Sequence, residues 1–225
     1  MHSYLKHIIY FFLFFTTSTL FAQKITPFET WSDNDLSIAN SAKNIKELSF
    51  QEKKVIFYIN LARINGSLFA DTYLKDYMDD VKIPKNKYYK SLVKTLKEQP
   101  RLPVLNFDEE LFNEAVKHAK EMGKTGRKGH RSGDYESFGE RIAPLQKKFK
   151  KVKESNQYGF PDALSIVIDL LIDDEQESLR HRKMLLDPDL FYIGVGIRAH
   201  KKFMINTSIL MGGELINQSS VLNSQ

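Results

Sequence analysis

The 225-residue sequence contains no cysteine, and this absence removes several kinds of chemistry at once. Disulfide bonds, thiolate metal ligands and a thiol nucleophile are all excluded. Proline and glycine are also few, at 7 and 11 residues, which excludes a collagen-like or low-complexity chain. Stability must therefore come from an ordinary apolar core, and a chain of this length can form one within a single domain.

The common catalytic and nucleotide-binding motifs are also missing. The sequence has no His-Glu-x-x-His pair, no phosphate-binding loop and no dinucleotide fingerprint. Ser137 lies in a stretch similar to a nucleophile elbow, but the first glycine of that motif is absent, so we do not expect it to be a nucleophile. The formal charge is +5 and the basic residues are scattered, so we predict no nucleic-acid partner.

The N-terminus has the pattern of a secretory signal peptide. Lys6 precedes a short apolar run, and the small residue Ala22 follows at the expected cleavage point. The run is shorter than the roughly 20 residues of a membrane-spanning helix, so we expect no stable span after cleavage. The sequence thus predicts a signal peptide over 1–22 and a periplasmic or extracellular protein. We expect a linker or N-terminal arm over 23–47, one domain over 48–213 and a polar tail over 214–225.

Hydrophobic spacing predicts several helices followed by a hairpin. Apolar residues recur at three- and four-residue intervals after Leu48, after Asp108 and after Asp162. Tyr192 to Ala199 and Phe203 to Met211 alternate as two strands joined by a polar turn. Helices first and a hairpin last predict an α+β domain rather than an alternating α/β chain.

The candidate site consists of three separated polar residues. His130 and Glu140 each follow a glycine, and His181 lies between two arginines. Imidazole and carboxylate groups are good zinc ligands, but the spacing is not local, so the metal signal is weak. In the alternative interpretation these residues are structural, with Glu140 capping or pairing locally. His118, at the edge of a helical stripe, fits a packed or surface residue better than a ligand.

These residues stand in an order that resembles the CAP superfamily of cysteine-rich secretory, antigen 5 and pathogenesis-related (SCP-like) proteins, in particular its cysteine-free bacterial branch. The resemblance runs from about Leu48 to Gly213. It rests on the following segments, in order: Asn60-Leu61-Ala62-Arg63, Leu105-Asn106-Phe107-Asp108-Glu109-Glu110-Leu111, His130, Gly139-Glu140-Arg141-Ile142, His181-Arg182 and Ile193-Gly194-Val195-Gly196.

The resemblance implies an α-β-α sandwich with a small antiparallel sheet between helices. It also implies a cleft lined by His130, Glu140, His181 and a second acid, which is Asp173 or Asp174. Such a cleft can bind a divalent metal such as zinc, although no cofactor is required. Arg141 replaces the asparagine that the pattern has after Glu140, so we expect a charge beside the cleft.

The resemblance favours a secreted, non-catalytic binding module whose ligand is a lipid, a glycan or a protein. The alternative is a metal-dependent, peptidase-like hydrolase in which Glu140 acts as general base on a metal-bound water.

Overall fold

A computed structural model describes residues 30–82, 84–133, 137–174 and 177–216. The predicted signal peptide over 1–22 lies outside the described residues, as does most of the predicted polar tail. Within the described ranges, no helix combines the length and the apolar character needed to cross a membrane.

A four-stranded sheet forms the centre of the domain, in the order β1-β3-β4-β2. The predicted hairpin is present as β3 (Tyr192–His200) and β4 (Met204–Gly212). The short strand β1 (Asn106–Phe107) runs parallel to β3, and β2 (Val152–Tyr158) runs antiparallel to β4. β2 therefore forms one edge of the sheet and lies far from the hairpin in the sequence.

One face of the sheet is covered by α6 (Glu109–Thr125), the helix with the clearest sequence pattern. Asp108 caps it by accepting hydrogen bonds from the backbone N–H groups of Glu110 and Leu111. The helix lies directly on β3 at Gly194, where an added Cβ would be 2.1 Å from the backbone nitrogen of Phe112. Gly194 lies in a strand, as predicted, and this close contact explains why a side chain is excluded there.

A shorter helix, α7 (Phe138–Gln146), packs beside α6 on the same face. It contributes to a small apolar cluster formed by Leu111, Ala115, Ile142, Leu145, Phe149 and Leu210. Leu210 belongs to β4, so this cluster holds α7 against the sheet as well as against α6.

The main core lies on the opposite face, beneath α2 (Phe50–Ile64), α8 (Ala163–Ile172) and α9 (Arg180–Leu185). Ile209 and Met211 of β4 point into it, whereas Leu210 between them points to the α6 side. Arg63 of α2 is fully buried and donates hydrogen bonds to the carbonyls of Leu185 and Leu190, which tie the segment after α9 to α2.

The segment after α2 is helical but irregular. It consists of α3 (Gly66–Phe69), a π-helical stretch (Ala70–Leu74) and α4 (Lys75–Val81), followed by α5 (Lys87–Glu98). The cap of α3 is Asn65, whose side chain accepts the N–H of Leu68.

The region expected to be a linker or loose arm is packed where the structure describes it. Asp33–Ala39 forms α1, capped by Ser32, and Trp31, Leu36 and Ala39 are buried in the main core. Although this stretch is polar in composition, these few apolar side chains hold it against the core. With helices on both faces of a mainly antiparallel sheet, the domain is α+β, as predicted.

Candidate functional site

A cavity of about 420 Å³ opens at the β2 edge of the sheet and brings the two predicted histidines together. His130 reaches it from the loop after α6, and His181 reaches it from α9. The residues that line the cavity are His130, Phe138, Val152, Lys153, Glu154, Arg180, His181, Lys183 and Met184. Two residues that are 51 positions apart in the numbering thus face one space.

His130 is oriented by a buried carboxylate. Its Nδ1 lies 2.8 Å from Oε1 of Glu154, a residue of β2 that the sequence analysis did not single out. The ring also packs edge-on against Phe138. Because Nδ1 is engaged and the side chain is 44% exposed, Nε2 is the ring nitrogen available to a ligand.

Hydrogen bonds to the buried side chain of His118 hold the loop that carries His130. This histidine is fully buried, with Nε2 2.9 Å from the carbonyl of Gly129 and Nδ1 3.0 Å from Oγ of Ser132. A ring nitrogen can only donate to a carbonyl, so Nε2 carries the proton and Nδ1 accepts from the serine. Burial lowers the pKa of His118, which keeps the ring neutral. His118 is a packed residue, as expected, and it positions the site.

Glu154 is charged although it is almost completely buried. Arg141 donates to Oε2 of Glu154, and the same guanidinium pairs with Glu114 at 2.9 Å. Burial alone would raise the pKa of Glu154, but the hydrogen bonds from His130 and Arg141 and the charge of Arg141 outweigh it and lower the pKa to about 2. The charge of Arg141, which the sequence led us to expect beside the cleft, is paired with Glu154 and Glu114.

His181 is oriented in the same manner on the other side of the cavity. Its Nδ1 lies 2.8 Å from Oδ1 of Asp173, and Oδ2 of Asp173 accepts the backbone N–H of His181 at 2.9 Å. Burial would raise the pKa of Asp173, but these contacts with His181 lower it. Of the two acids left open by the sequence, Asp173 pairs with His181, whereas Asp174 is exposed.

Glu140 lies elsewhere. It forms a capping box at the start of α7, in which it accepts the backbone N–H of Ser137 at 2.7 Å while Ser137 accepts the N–H of Glu140. The side-chain hydrogen bond from Ser137 lowers its pKa. Among the described residues that line the cavity, Glu140 is absent. This arrangement corresponds to the structural alternative for Glu140.

The described side chains fit two imidazole ligands for a metal ion. Each histidine uses Nδ1 on a carboxylate, which is the way that metal-binding histidines are commonly oriented, and each leaves Nε2 for the ion. In the part of the chain that the structure describes, no group of three or more His, Cys, Asp or Glu side chains is arranged to hold a metal. The set of His130, Glu140 and His181 stays a prediction, and the geometry does not supply Glu140 as its third member.

Sequence reasoning missed Glu154 because the residue has no local motif. It stands in the polar run Lys153-Glu154-Ser155-Asn156-Gln157, whose low β-propensity hid the strand. The departure at Arg141 was the available signal, since a buried arginine needs a carboxylate partner.

Helices on both faces of a small sheet, with two carboxylate-paired histidines on one edge cavity, define an α+β domain with a cleft between its layers. A profile of the family described as "CAP: Cysteine-rich secretory protein family" matches residues 58–204, more than half of the chain. The chain belongs to this family, and its lack of cysteine is consistent with a cysteine-free branch. A search of curated proteins found no match.

Several solved structures are similar to the chain at low identity. An extracellular protein containing an SCP domain from Bacillus anthracis is 19% identical, with a TM-score of 0.43, over 56% of this chain and 39% of that protein. An outer surface protein of Borrelia burgdorferi is 20% identical, with a TM-score of 0.44, over 59% of this chain and 96% of that one. Venom allergen-like protein 4 of Schistosoma mansoni is 14% identical, with a TM-score of 0.42, over 77% of this chain and 99% of that one.

Proposed function

We propose that this CAP-family protein is a secreted binding module that takes up its ligand in the cavity between His130 and His181. The observation that carries the proposal is the pair of histidines on one cavity, each held at Nδ1 by a carboxylate. A divalent metal such as zinc would be held by the two Nε2 atoms and, when bound, would supply a Lewis acid for an oxygen atom of the ligand. Secretion is supported by the signal-like sequence over 1–22 and by the family to which the chain belongs.

Binding is a better fit than hydrolysis because the carboxylates at the cavity are poor bases. A general base must lie within hydrogen-bond reach of the water it activates. Glu154 lines the cavity, but its pKa is about 2 and Arg141 and His130 both occupy its oxygen atoms. Glu140, the base of the hydrolase alternative, is engaged at the start of α7. The cavity therefore presents cations and imidazoles to a ligand rather than a free carboxylate.

Calorimetric titration of zinc into the chain from residue 23 onward tests the metal part of the proposal. We expect binding to the unchanged protein and at least a tenfold loss of affinity in His130→Ala and in His181→Ala. Asp173→Asn removes the negative charge beside His181 Nδ1 and so lowers the basicity of the ring, and we expect about a 10- to 100-fold loss of zinc affinity.

Glu140→Gln is the matched control, because it changes a predicted ligand that the structure places in a helix cap. We expect unchanged zinc affinity and a small loss of stability. Absence of binding at near-millimolar zinc, or equal affinity in the double variant His130→Ala/His181→Ala, would refute the metal site. A large loss in Glu140→Gln would instead restore the three-ligand set.

A further inference from the structure

The outer edge of β2 presents unpaired backbone groups to the same cavity. Backbone hydrogen bonds join Gly213 to Lys151 and Gly159 to Ile205 across the β2–β4 ladder. Bonded and non-bonded residues alternate along an antiparallel pair, so Lys153, Ser155 and Gln157 direct their N–H and C=O groups to β4. The N–H and C=O groups of the intervening residues, among them Glu154, point away from β4.

These outward groups have no backbone partner among the described residues. β2 is the last strand in the sheet order, and the backbone hydrogen bonds outside the regular ladders include none from Val152, Glu154 or Asn156 to another element. A row of this kind is a template for pairing with another strand unless something covers it.

A groove follows this edge between the two helical layers. At one end, the 420 Å³ cavity is lined by His130 from the α6–α7 side and by Met184 from the α9 side, with Glu154 between them. At the other end, a smaller cavity of about 70 Å³ is lined by Asn156, Gln157 and Tyr158. His181 lines both, so the two cavities are adjacent along β2. β2 has seven residues, which gives the groove a length of roughly 20 Å.

The charge at the Val152 end of the groove is positive. Lys183 lines the larger cavity and is exposed, and no ion pair among the described residues engages it. The carboxylates nearby are already paired, with Glu154 held by Arg141 and Asp187 held by Lys151 and Lys153. An acidic group is therefore favoured at this end.

We propose that the open edge of β2 binds an extended peptide segment of another protein as an additional strand, with an acidic side chain of that peptide beside Lys183. Main-chain pairing supplies affinity in this mode of recognition, and the flanking cavities select alternate side chains. The inference rests on the proposed function in that it names the partner class of the same cavity, but it does not require a bound metal.

The test begins with an array of ten-residue peptides whose net charge varies from acidic to basic, applied to the chain from residue 23 onward. We expect binding by peptides that carry an acidic residue at the end that meets Lys183, and loss of binding when that residue is made basic. The backbone amides of the strongest binder are then N-methylated one at a time. Methylation at every second residue of the peptide should abolish binding, and methylation at the residues between should leave it unchanged, because a paired strand uses alternate amides. Sensitivity at all positions or at none would overturn the proposal.

Hydrogen exchange locates the bound peptide on the protein. We expect the amides of Val152, Glu154 and Asn156 to gain protection on binding, whereas those of Lys153 and Ser155 are already protected by β4. Outward amides that are protected before peptide is added would show that another segment of the chain or a second copy fills the edge, which would overturn the proposal. Protection confined to other elements would overturn it as well.

A charge reversal tests where the acidic side chain of the peptide lies. Lys183→Glu should weaken an acidic binder by about tenfold or more, and Lys46→Glu, an exposed lysine outside both cavities, is the matched control with less than a twofold effect. Zinc titration of the same samples separates the two proposals. Zinc binding without peptide binding removes only this inference, whereas peptide binding without zinc binding removes only the metal site.

Discussion

At the scale of single residues, Glu154 organises the candidate site. One carboxylate accepts from His130 on the cavity side and from Arg141 on the buried side, and it lies 3.7 Å from His118. Its charge is kept in a nearly dry environment because donors surround it. Apart from the departure at Arg141, the sequence gives no sign of this role, since the residues that define it come from separate segments and meet only in the folded chain.

The low pKa of Glu154 predicts how stability depends on pH. The pKa is about 2 in the folded protein against an ordinary value of 4.5, so folding favours the charged form. The resulting stabilisation is complete above about pH 4.5 and is lost as the pH falls towards 2, with a total of about 3 kcal/mol. Urea unfolding at pH 5 and pH 2.5 should show a smaller loss of stability for Glu154→Gln than for the unchanged protein. Glu98→Gln, at an exposed carboxylate, should not alter the loss, and an equal loss in all three proteins would contradict the prediction.

At the scale of elements, the sequence predicted the helices and strands that have a periodic hydrophobic pattern and missed a strand that has none. The apolar stripe of α6 and the alternation of β3 and β4 gave those elements correctly. β2 was missed because both of its faces carry polar side chains, with Glu154 in the charged network and Ser155 donating to the sulfur of Met184. The fold class needed only the repeated patterns, whereas the edge of the candidate site depends on this polar strand.

The contact between α6 and β3 predicts a sharp difference between two glycines. Gly194→Ala would place a Cβ 2.1 Å from the backbone nitrogen of Phe112, so helix and strand must separate, at a cost of about 2–3 kcal/mol. Gly139→Ala, at a helical position with nothing within 4 Å of the added atom, should stabilise the protein by up to about 1 kcal/mol. Thermal unfolding of both variants checks this, and similar shifts in Tm for the two would show that α6 is not held closely to the sheet.

At the scale of the whole molecule, the region before α2 is part of the domain. The sequence placed a domain boundary near Leu48, but Trp31 and Leu36 are buried in the same core as the helices that follow. Composition alone could not show this, because the stretch is polar on average and only its few apolar residues touch the core. Domain limits thus depend on particular contacts rather than on the average character of a segment.

Truncation measures the contribution of this region. Fully burying a large apolar side chain is worth about 1.5–3 kcal/mol, so removal of Trp31 and Leu36 should cost about 3–6 kcal/mol. We expect a chain that starts at Leu48 to unfold at a lower urea concentration than one that starts at residue 23. Trp31 is the single tryptophan, so its fluorescence in the longer chain should report a buried indole that becomes exposed at the same transition. Equal midpoints for the two chains would mean that the arm is dispensable.

The order of the helices and strands along the chain also determines when the domain can form during synthesis. The two central strands, β3 and β4, follow every described helix in the chain. A ribosome makes the N-terminus first, so α2, α6 and α8 emerge before the surface on which they pack. Until residue 212 has left the ribosome, these helices can pack on one another but not on the completed sheet. A nascent chain that ends before residue 212 should therefore be cut by protease more readily than one that extends past it.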